Sequence, residues 1–410
     1  MSTPSWWREI EPQAWRALVA AGLGWMLDAM DVMLYAFALG AIRAEFGLDQ
    51  AGAGALQTAT LLAAAAGGLS AGVLADRFGR ARVLSWSVLV YSCFTALTAT
   101  AQSVPELVLW RVLVGLGQGA EWSAGALLVA ETWPAAHRGK AIGLMQAGWA
   151  VGYILAAGLA ALVLPGFGWR PLFVIGFFPA LLVVWIRRSL AEPEVWRAAA
   201  RQVRPPGEPW RTLARAPFLR RALLSTGAAS ALLFAYWGLF TWIPNYLARP
   251  REAGGAGLGI VRSTGFVVVL QLGALAGYVS FGFLADRFGR KPTFLAFVLG
   301  AAACVPVYGW SAHDPTLLWA LSPLVGFFGH GYFSLFGAML AELFPSAIRG
   351  AAQGLCYNLG RVVSAAAPAA VGAVADRHGI GTGFAMLSLC YLLGALLVLG
   401  LPETRGAKIE

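Results

Sequence analysis

The residues able to do chemistry in this chain are few, and almost all of them interrupt apolar runs. Asp28 and Asp31 stand in Trp25-Met-Leu-Asp28-Ala-Met-Asp31-Val-Met. At i and i+3 they share one face of a helix. Two carboxylates so close cannot both ionise cheaply, which suits a group that carries a proton; the plainer alternative is that one of them simply pairs with an arginine. Arg111 and Glu121 lie in Arg111-Val-Leu-Val-Gly-Leu-Gly-Gln118-Gly-Ala-Glu121-Trp122. Ten residues span about 15 Å of helix, too far for the two to pair with each other. Arg111, nearer the start of its run, is placed to partner the carboxylates of the first run. In the second half of the chain the candidates are His330, Asn358 and Arg361, with Gln271 weaker. A guanidinium is always charged and presents a flat fork that matches a carboxylate. Arg361 therefore reads as an anion anchor, the alternative being a structural pair with Asp28, Asp31 or Glu121. His330, between Gly329 and Gly331, either titrates or holds a neighbour by a hydrogen bond. Tyr35, Trp122, Trp149, Tyr153, Phe234, Tyr236, Trp237 and Tyr332 are candidate cavity-lining aromatics, although most rings in such a chain are packing.

The elements that must position these side chains are membrane helices. The chain is 59% hydrophobic and only 12% charged, with a mean hydropathy of +0.67, whereas a soluble domain carries about 25% charge. About twelve runs are long enough to span a bilayer at roughly 20 residues each. They lie near 17–42, 53–75, 83–101, 105–130, 139–162, 170–187, 221–247, 260–284, 292–311, 315–340, 349–374 and 381–400. A charge at that depth is costly and is a functional candidate by default. The net charge of +10 does not mean nucleic-acid binding, because the charges fall in short loops. Placing the N-terminus inside puts 22 of the 30 Lys and Arg residues on the inner side and 6 outside, Arg111 and Arg361 being within helices. That bias orients both termini to the cytoplasm. The widest polar gap, 188–220, reads as a cytoplasmic linker with a short surface helix around 194–204. It joins an N-terminal six-helix bundle at 1–187 to a C-terminal one at 221–410. The four cysteines lie in apolar stretches without disulfide or metal spacing. No nucleophile–base set or metal set survives this topology, so the chain reads as no enzyme, with no cofactor.

The halves repeat. Gly72-Val-Leu-Ala-Asp76-Arg77-Phe-Gly-Arg80-Ala returns 210 residues later as Gly282-Phe-Leu-Ala-Asp286-Arg287-Phe-Gly-Arg290-Lys, with eight identities in ten positions. Glu131-Thr-Trp-Pro-Ala-Ala-His-Arg138-Gly is echoed as Glu342-Leu-Phe-Pro-Ser-Ala-Ile-Arg349-Gly. Duplicated halves are characteristic of secondary transporters. Arg111 and Glu121 are matched by the uncharged Ser322 and Tyr332, so the charge asymmetry points to coupling chemistry in one half.

The pattern Gly-x-x-x-Asp-Arg-x-Gly-Arg resembles the signature loop of the major facilitator superfamily, at both places where that family carries it, and the resemblance covers essentially the whole chain. It implies an all-α membrane protein of twelve transmembrane helices in two pseudo-symmetric six-helix halves. It also implies that Asp76, Arg77, Arg80, Glu131 and Arg138, with Asp286, Arg287, Arg290, Glu342 and Arg349, form cytoplasmic gates. Asp76 would face the start of helix eleven and Asp286 the start of helix five. Arg111 with its glycines resembles the family's proton-coupling motif in helix four. The Asp-x-x-Asp of helix one resembles proton-coupled carboxylate importers, the sialate/lactate and aromatic-acid families, although Ala29-Met30 replaces their usual Gly-Phe. The expectation is import of a small organic anion with protons, by alternating access, through a monomer in the bacterial inner membrane. Asp28, Asp31, Glu121 and Arg111 would couple protons; Arg361, Asn358, His330, Gln271, Tyr35, Trp122, Tyr236 and Tyr332 would meet the substrate. A proton-coupled exporter of lipophilic or cationic drugs is the competing expectation.

Overall fold

The computed structural model describes residues 10–134, 137–189, 208–216 and 218–404. The surface helix expected around 194–204 lies outside the described residues. The described residues are helical and contain no strand. In the first half the helices are α1 (Pro12–Phe46), α2 (Gln50–Phe78), α3 (Arg80–Thr98), α4 (Val104–Thr132), α5 (Arg138–Phe167), α6 (Trp169–Ile175) and α7 (Ala180–Ser189). After α8 (Glu208–Leu213) come α9 (Phe218–Phe240), α10 (Ile243–Ala248), α11 (Gly259–Phe288), α12 (Arg290–Trp310), α13 (Pro315–Gly331), α14 (Phe333–Glu342), α15 (Ser346–Ser364), α16 (Ala367–His378) and α17 (Ile380–Leu399). Among the described residues, eight helical spans are long and apolar enough to cross a membrane. Large apolar side chains such as Leu162, Phe167, Phe283 and Leu389 face outward around the perimeter, as lipid contact requires.

The expected runs coincide with helices, but four of them are broken. The run at 170–187 divides at 176–179, where the backbone tightens to i→i−3 bonds. The others divide at 241–242, at Tyr332 and at 365–366. Pro244 and Pro368 occupy the first turn of the helix that resumes, where a missing N–H costs least. Pro244 leaves the Phe240 carbonyl without its helical donor. The Tyr153 hydroxyl donates to that oxygen at 3.1 Å, tying α5 to α9 across the two halves.

The halves repeat in packing as well as in sequence. α2 packs on α4 as α11 packs on α13, and α1 on α5 as α9 on α15. Gly115 sits where a Cβ would strike the Thr60 carbonyl, and Gly326, 211 residues on, where it would strike that of Leu270. Small residues at such crossings let helices approach closely. Gly79 and Gly289 turn the α2–α3 and α11–α12 corners at the same φ of 107°, which only glycine adopts readily. Between the halves, α2 packs on α15 and α16, α5 on α11, and α1 on α10. The start of α1, the end of α17 and the α2–α3 corner lie at one end of the bundle, called here the terminal end; the α1–α2 turn and the α16–α17 corner lie at the far end.

Candidate functional site

Asp31 is fully buried where α1, α3 and α4 meet. Its Oδ2 accepts from Thr95 Oγ1 at 2.8 Å and from Gln118 Nε2 at 3.0 Å. Gln118 lies two turns beyond Arg111 and therefore on the same face of α4. The Arg111 guanidinium is also fully buried and lies over the Tyr35 ring, 4.7 Å from its centroid, a cation–π contact. Tyr35 is fixed by donating to the Ala53 carbonyl at 3.0 Å. None of the three Arg111 side-chain nitrogens has a hydrogen-bond partner, although the charges of Asp31 and Asp28 both act on it. The expected partnership of Arg111 with helix one is thus one of field and stacking, not of a closed ion pair. Thr95 and Gln118 occupy the carboxylate oxygen, and Tyr35 occupies the guanidinium face.

One turn before Asp28, Gly24 leaves room for Glu121: a Cβ there would strike Glu121 Oε1. Asp28 Oδ1 and Glu121 Oε2 are both buried without a hydrogen-bond partner, and the charge of Asp28 acts on Glu121. Arg361, from the other half, adds its charge to the field at Asp28. Three carboxylates and two guanidinium groups from α1, α4 and α15 thus share one buried region. Unpaired buried charge is costly, so this arrangement does not stabilise the fold.

Arg361 is partly buried and makes no hydrogen bond or ion pair among the described residues, which leaves its fork available. Asn358, one turn earlier, donates from Nδ2 to the Gly354 carbonyl at 2.9 Å, while its Oδ1 has no partner. Both side chains reach α2 at Gly68, where a Cβ would lie 2.7 Å from Asn358 Oδ1 and 3.5 Å from Arg361 Nη1.

Aromatic rings surround this region. Trp122 stacks on Tyr357 of the opposite half, centroids 4.5 Å apart and planes at 17°, and donates to Gln146 Oε1. Trp149 meets Tyr236 and Trp237 edge-on. Tyr236 in turn packs on Phe240, His330 and Phe333. His330 is enclosed by these rings, its Nε2 3.4 Å from the Tyr236 hydroxyl and its Nδ1 unpartnered. Both amide atoms of Gln271 are buried and unpartnered. Tyr332 lies deeper in the second half, among Phe294, Phe333 and Tyr391, with its hydroxyl toward the Leu232 carbonyl. Thr95 and Tyr357 were not legible as site residues. Their only signal is a hydroxyl or ring in an apolar run, and they gain meaning only once Asp31 and Trp122 are seen beside them.

At the terminal end Arg80 bonds Glu131 at 2.9 Å, and the repeat places Arg290 3.7 Å from Glu342. Arg77 and Arg287 lie over Phe78 and Phe288. The side chains of Asp76, Arg138, Asp286 and Arg349 lie outside the described ones. Among the described residues no cluster of His, Cys, Asp and Glu has the form of a metal site.

A buried polar site between duplicated helical bundles defines a membrane carrier. The chain belongs to the Major Facilitator Superfamily, whose family model matches residues 21–280 and 255–409. It is 35% identical to a putative metabolite transport protein of Haemophilus influenzae, over 98% of this chain and 99% of that one. It is 35% identical to a probable 4-methylmuconolactone transporter of Cupriavidus pinatubonensis, over 99% and 94%, and 32% identical to the cis,cis-muconate transport protein of Acinetobacter baylyi, over 94% and 93%. The crystal structure of a D-xylose–proton symporter shares the fold with a TM-score of 0.75 at 20% identity, covering 96% of this chain and 99% of that one. The chain is therefore a multi-pass membrane transporter and not an enzyme.

Proposed function

We propose that this protein imports a small planar carboxylate together with protons, by alternating access of one central site. The observation that carries this reading is Arg361: a guanidinium with no hydrogen-bond or ion-pair partner among the described residues, at the meeting of the halves, whose charge acts on the buried Asp28. A carboxylate seated on its fork gains charge-assisted bonds. Asn358 Oδ1, Gln271 and His330 Nδ1 offer the further polar contacts, each being buried and unpartnered. Trp122, Trp149 and Tyr236 supply flat faces, while Tyr35 holds the Arg111 guanidinium and Tyr332 packs on Phe333. The relatives named for muconolactone and muconate, niacin and 4-hydroxybenzoate support a planar acid.

Asp28 and Glu121 are the proton carriers in this reading; each keeps a buried oxygen without a hydrogen-bond partner, as Asp31 does at Oδ1. Asp31, held by two donors, sets the field with Arg111. A monocarboxylate entering with more than one proton carries net positive charge inward, favoured by about 2.3 kcal/mol per charge per 100 mV. The helices group into twelve spans when the pieces of each broken run are joined: six in 1–187, a cytoplasmic linker at 188–220, and six in 221–410. Both termini are cytoplasmic on the Lys/Arg bias, and one chain in the bilayer is a complete carrier. Arg80–Glu131 and Arg290–Glu342 belong to the cytoplasmic gates, with Asp76, Arg77, Arg138, Asp286, Arg287 and Arg349.

Ligand quenching of tryptophan fluorescence tests the substrate class, because Trp122 and Trp149 line the site. Saturable quenching by muconate, nicotinate or benzoate, and none by xylose, is the expected result. Saturable quenching by lipophilic cations without any by carboxylates would contradict it.

A further inference from the structure

The string that ends α16, Gly372-Ala-Val-Ala-Asp376-Arg377-His378-Gly379, matches Gly72–Gly79 and Gly282–Gly289 at the Gly, Ala, Asp, Arg and Gly positions. The backbone matches too. Gly79, Gly289 and Gly379 adopt φ 107°, 107° and 82° with ψ 153°, 156° and 155°. Each donates its N–H to the carbonyl four residues back, at Ala75, Ala285 and Ala375. Two of these corners lie at the terminal end. The third lies at the far end, where the family resemblance assigns no gate.

At this third corner the aspartate is engaged. Asp376 Oδ1 accepts from Gln50 Nε2 at 2.9 Å and from the Gln50 backbone N–H at 3.3 Å. Its Oδ2 accepts from the Ala51 N–H at 3.0 Å. A carboxylate of the second half thus caps α2 of the first, satisfying donors that no helical carbonyl can reach and gaining from the helix dipole. Beside it, Gly372 lies against the Gln50 carbonyl, and Trp242 Nε1 donates to the Pro368 carbonyl at 3.0 Å. The first half has no equivalent. Aligning the corner glycines Gly168 and Gly379 sets Pro165 opposite Asp376, and the α11 start carries no side-chain cap.

We propose that Asp376 is a latch that holds the far end shut: a third copy of the gate motif, placed at the opposite face of the carrier from the other two. The carboxylate is solvent-exposed, so water can replace the α2 amides when the halves part, and the bond is reversible. Its loss shifts the balance toward the state open at the far end. The proposal rests on the alternating-access reading above.

Hydrogen exchange of the full chain in nanodiscs, wild type against Asp376→Ala, tests it. The expected result is roughly three- to tenfold faster exchange at all of the far-end contacts, in peptides covering 50–54, 153–157, 240–247 and 260–264. It is accompanied by slower exchange at the terminal end, over 128–134 and 339–345. Gln50→Ala, which keeps both backbone bonds, gives the same pattern at smaller amplitude. Faster exchange at all far-end contacts without slowing at the terminal end keeps Asp376 as the far-end closure and contradicts alternating access instead. Exchange that rises only at 50–54 marks a frayed helix end, and that result, or no change, overturns the latch.

Discussion

Arg361→Lys separates an anion anchor from a structural cation. Arg361 makes no hydrogen bond or ion pair among the described residues, so the substitution breaks no protein contact that stabilises the fold. Its charge bears on Asp28, and lysine keeps that charge. What disappears is the planar fork. A carboxylate held by two charge-assisted bonds, each worth about 1.5–3 kcal/mol, then keeps one. At about 1.4 kcal/mol per decade, the dissociation constant for a planar carboxylate rises roughly 10- to 150-fold, while the melting temperature stays nearly constant. Arg361→Ala, which also removes the charge, abolishes measurable binding. Titration of the purified protein with benzoate and nicotinate, followed by tryptophan fluorescence and paired with thermal melting, reads both quantities. Unchanged affinity in Arg361→Lys, or a large fall in melting temperature with affinity retained, would refute the anchor.

Thr95→Val keeps the side-chain shape but removes the 2.8 Å bond to Asp31 Oδ2. It should lower stability by about 1.5–3 kcal/mol, visible as an earlier thermal transition in detergent. Gly115→Ala and Gly326→Ala place a methyl against the Thr60 and Leu270 carbonyls. Each should cost about 1–3 kcal/mol and by similar amounts, because the halves repeat; a neutral effect in either would contradict the crossing geometry. Glu131→Gln weakens the largely buried pair with Arg80, whose side chains are 8% and 17% exposed. It should lower stability by about 1–3 kcal/mol while slowing uptake, and an unchanged uptake rate would remove this pair from the gate.

The positions of the helices were legible in the sequence because the bilayer imposes one length scale on every apolar run. The four breaks were not. A broken run has the same composition as an unbroken one, and Pro244 and Pro368 stand where a helix start tolerates them. Asp28, Asp31, Arg111, Glu121 and Arg361 were legible as candidates because ionisable residues in such runs demand a reason. Their arrangement was not legible. Nothing in the spacing tells that Thr95 reaches Asp31, that Tyr35 rather than a carboxylate faces Arg111, or that Gly24 makes room for Glu121. The copy of the gate motif at Asp376 is readable as a string. Its partner on α2 is 326 residues away, a separation that only the folded chain closes.

The central claim is that an organic anion and protons cross together. The most direct test is internal pH in proteoliposomes loaded with a pH-sensitive dye, on adding muconate, benzoate, nicotinate, lactate, sialate, xylose or a lipophilic cation outside. The account predicts acidification with one class of carboxylate, lost in Arg361→Ala and in the Asp28→Asn, Glu121→Gln double variant. Alkalinisation on adding lipophilic cations, unaffected by Arg361→Ala, would contradict it.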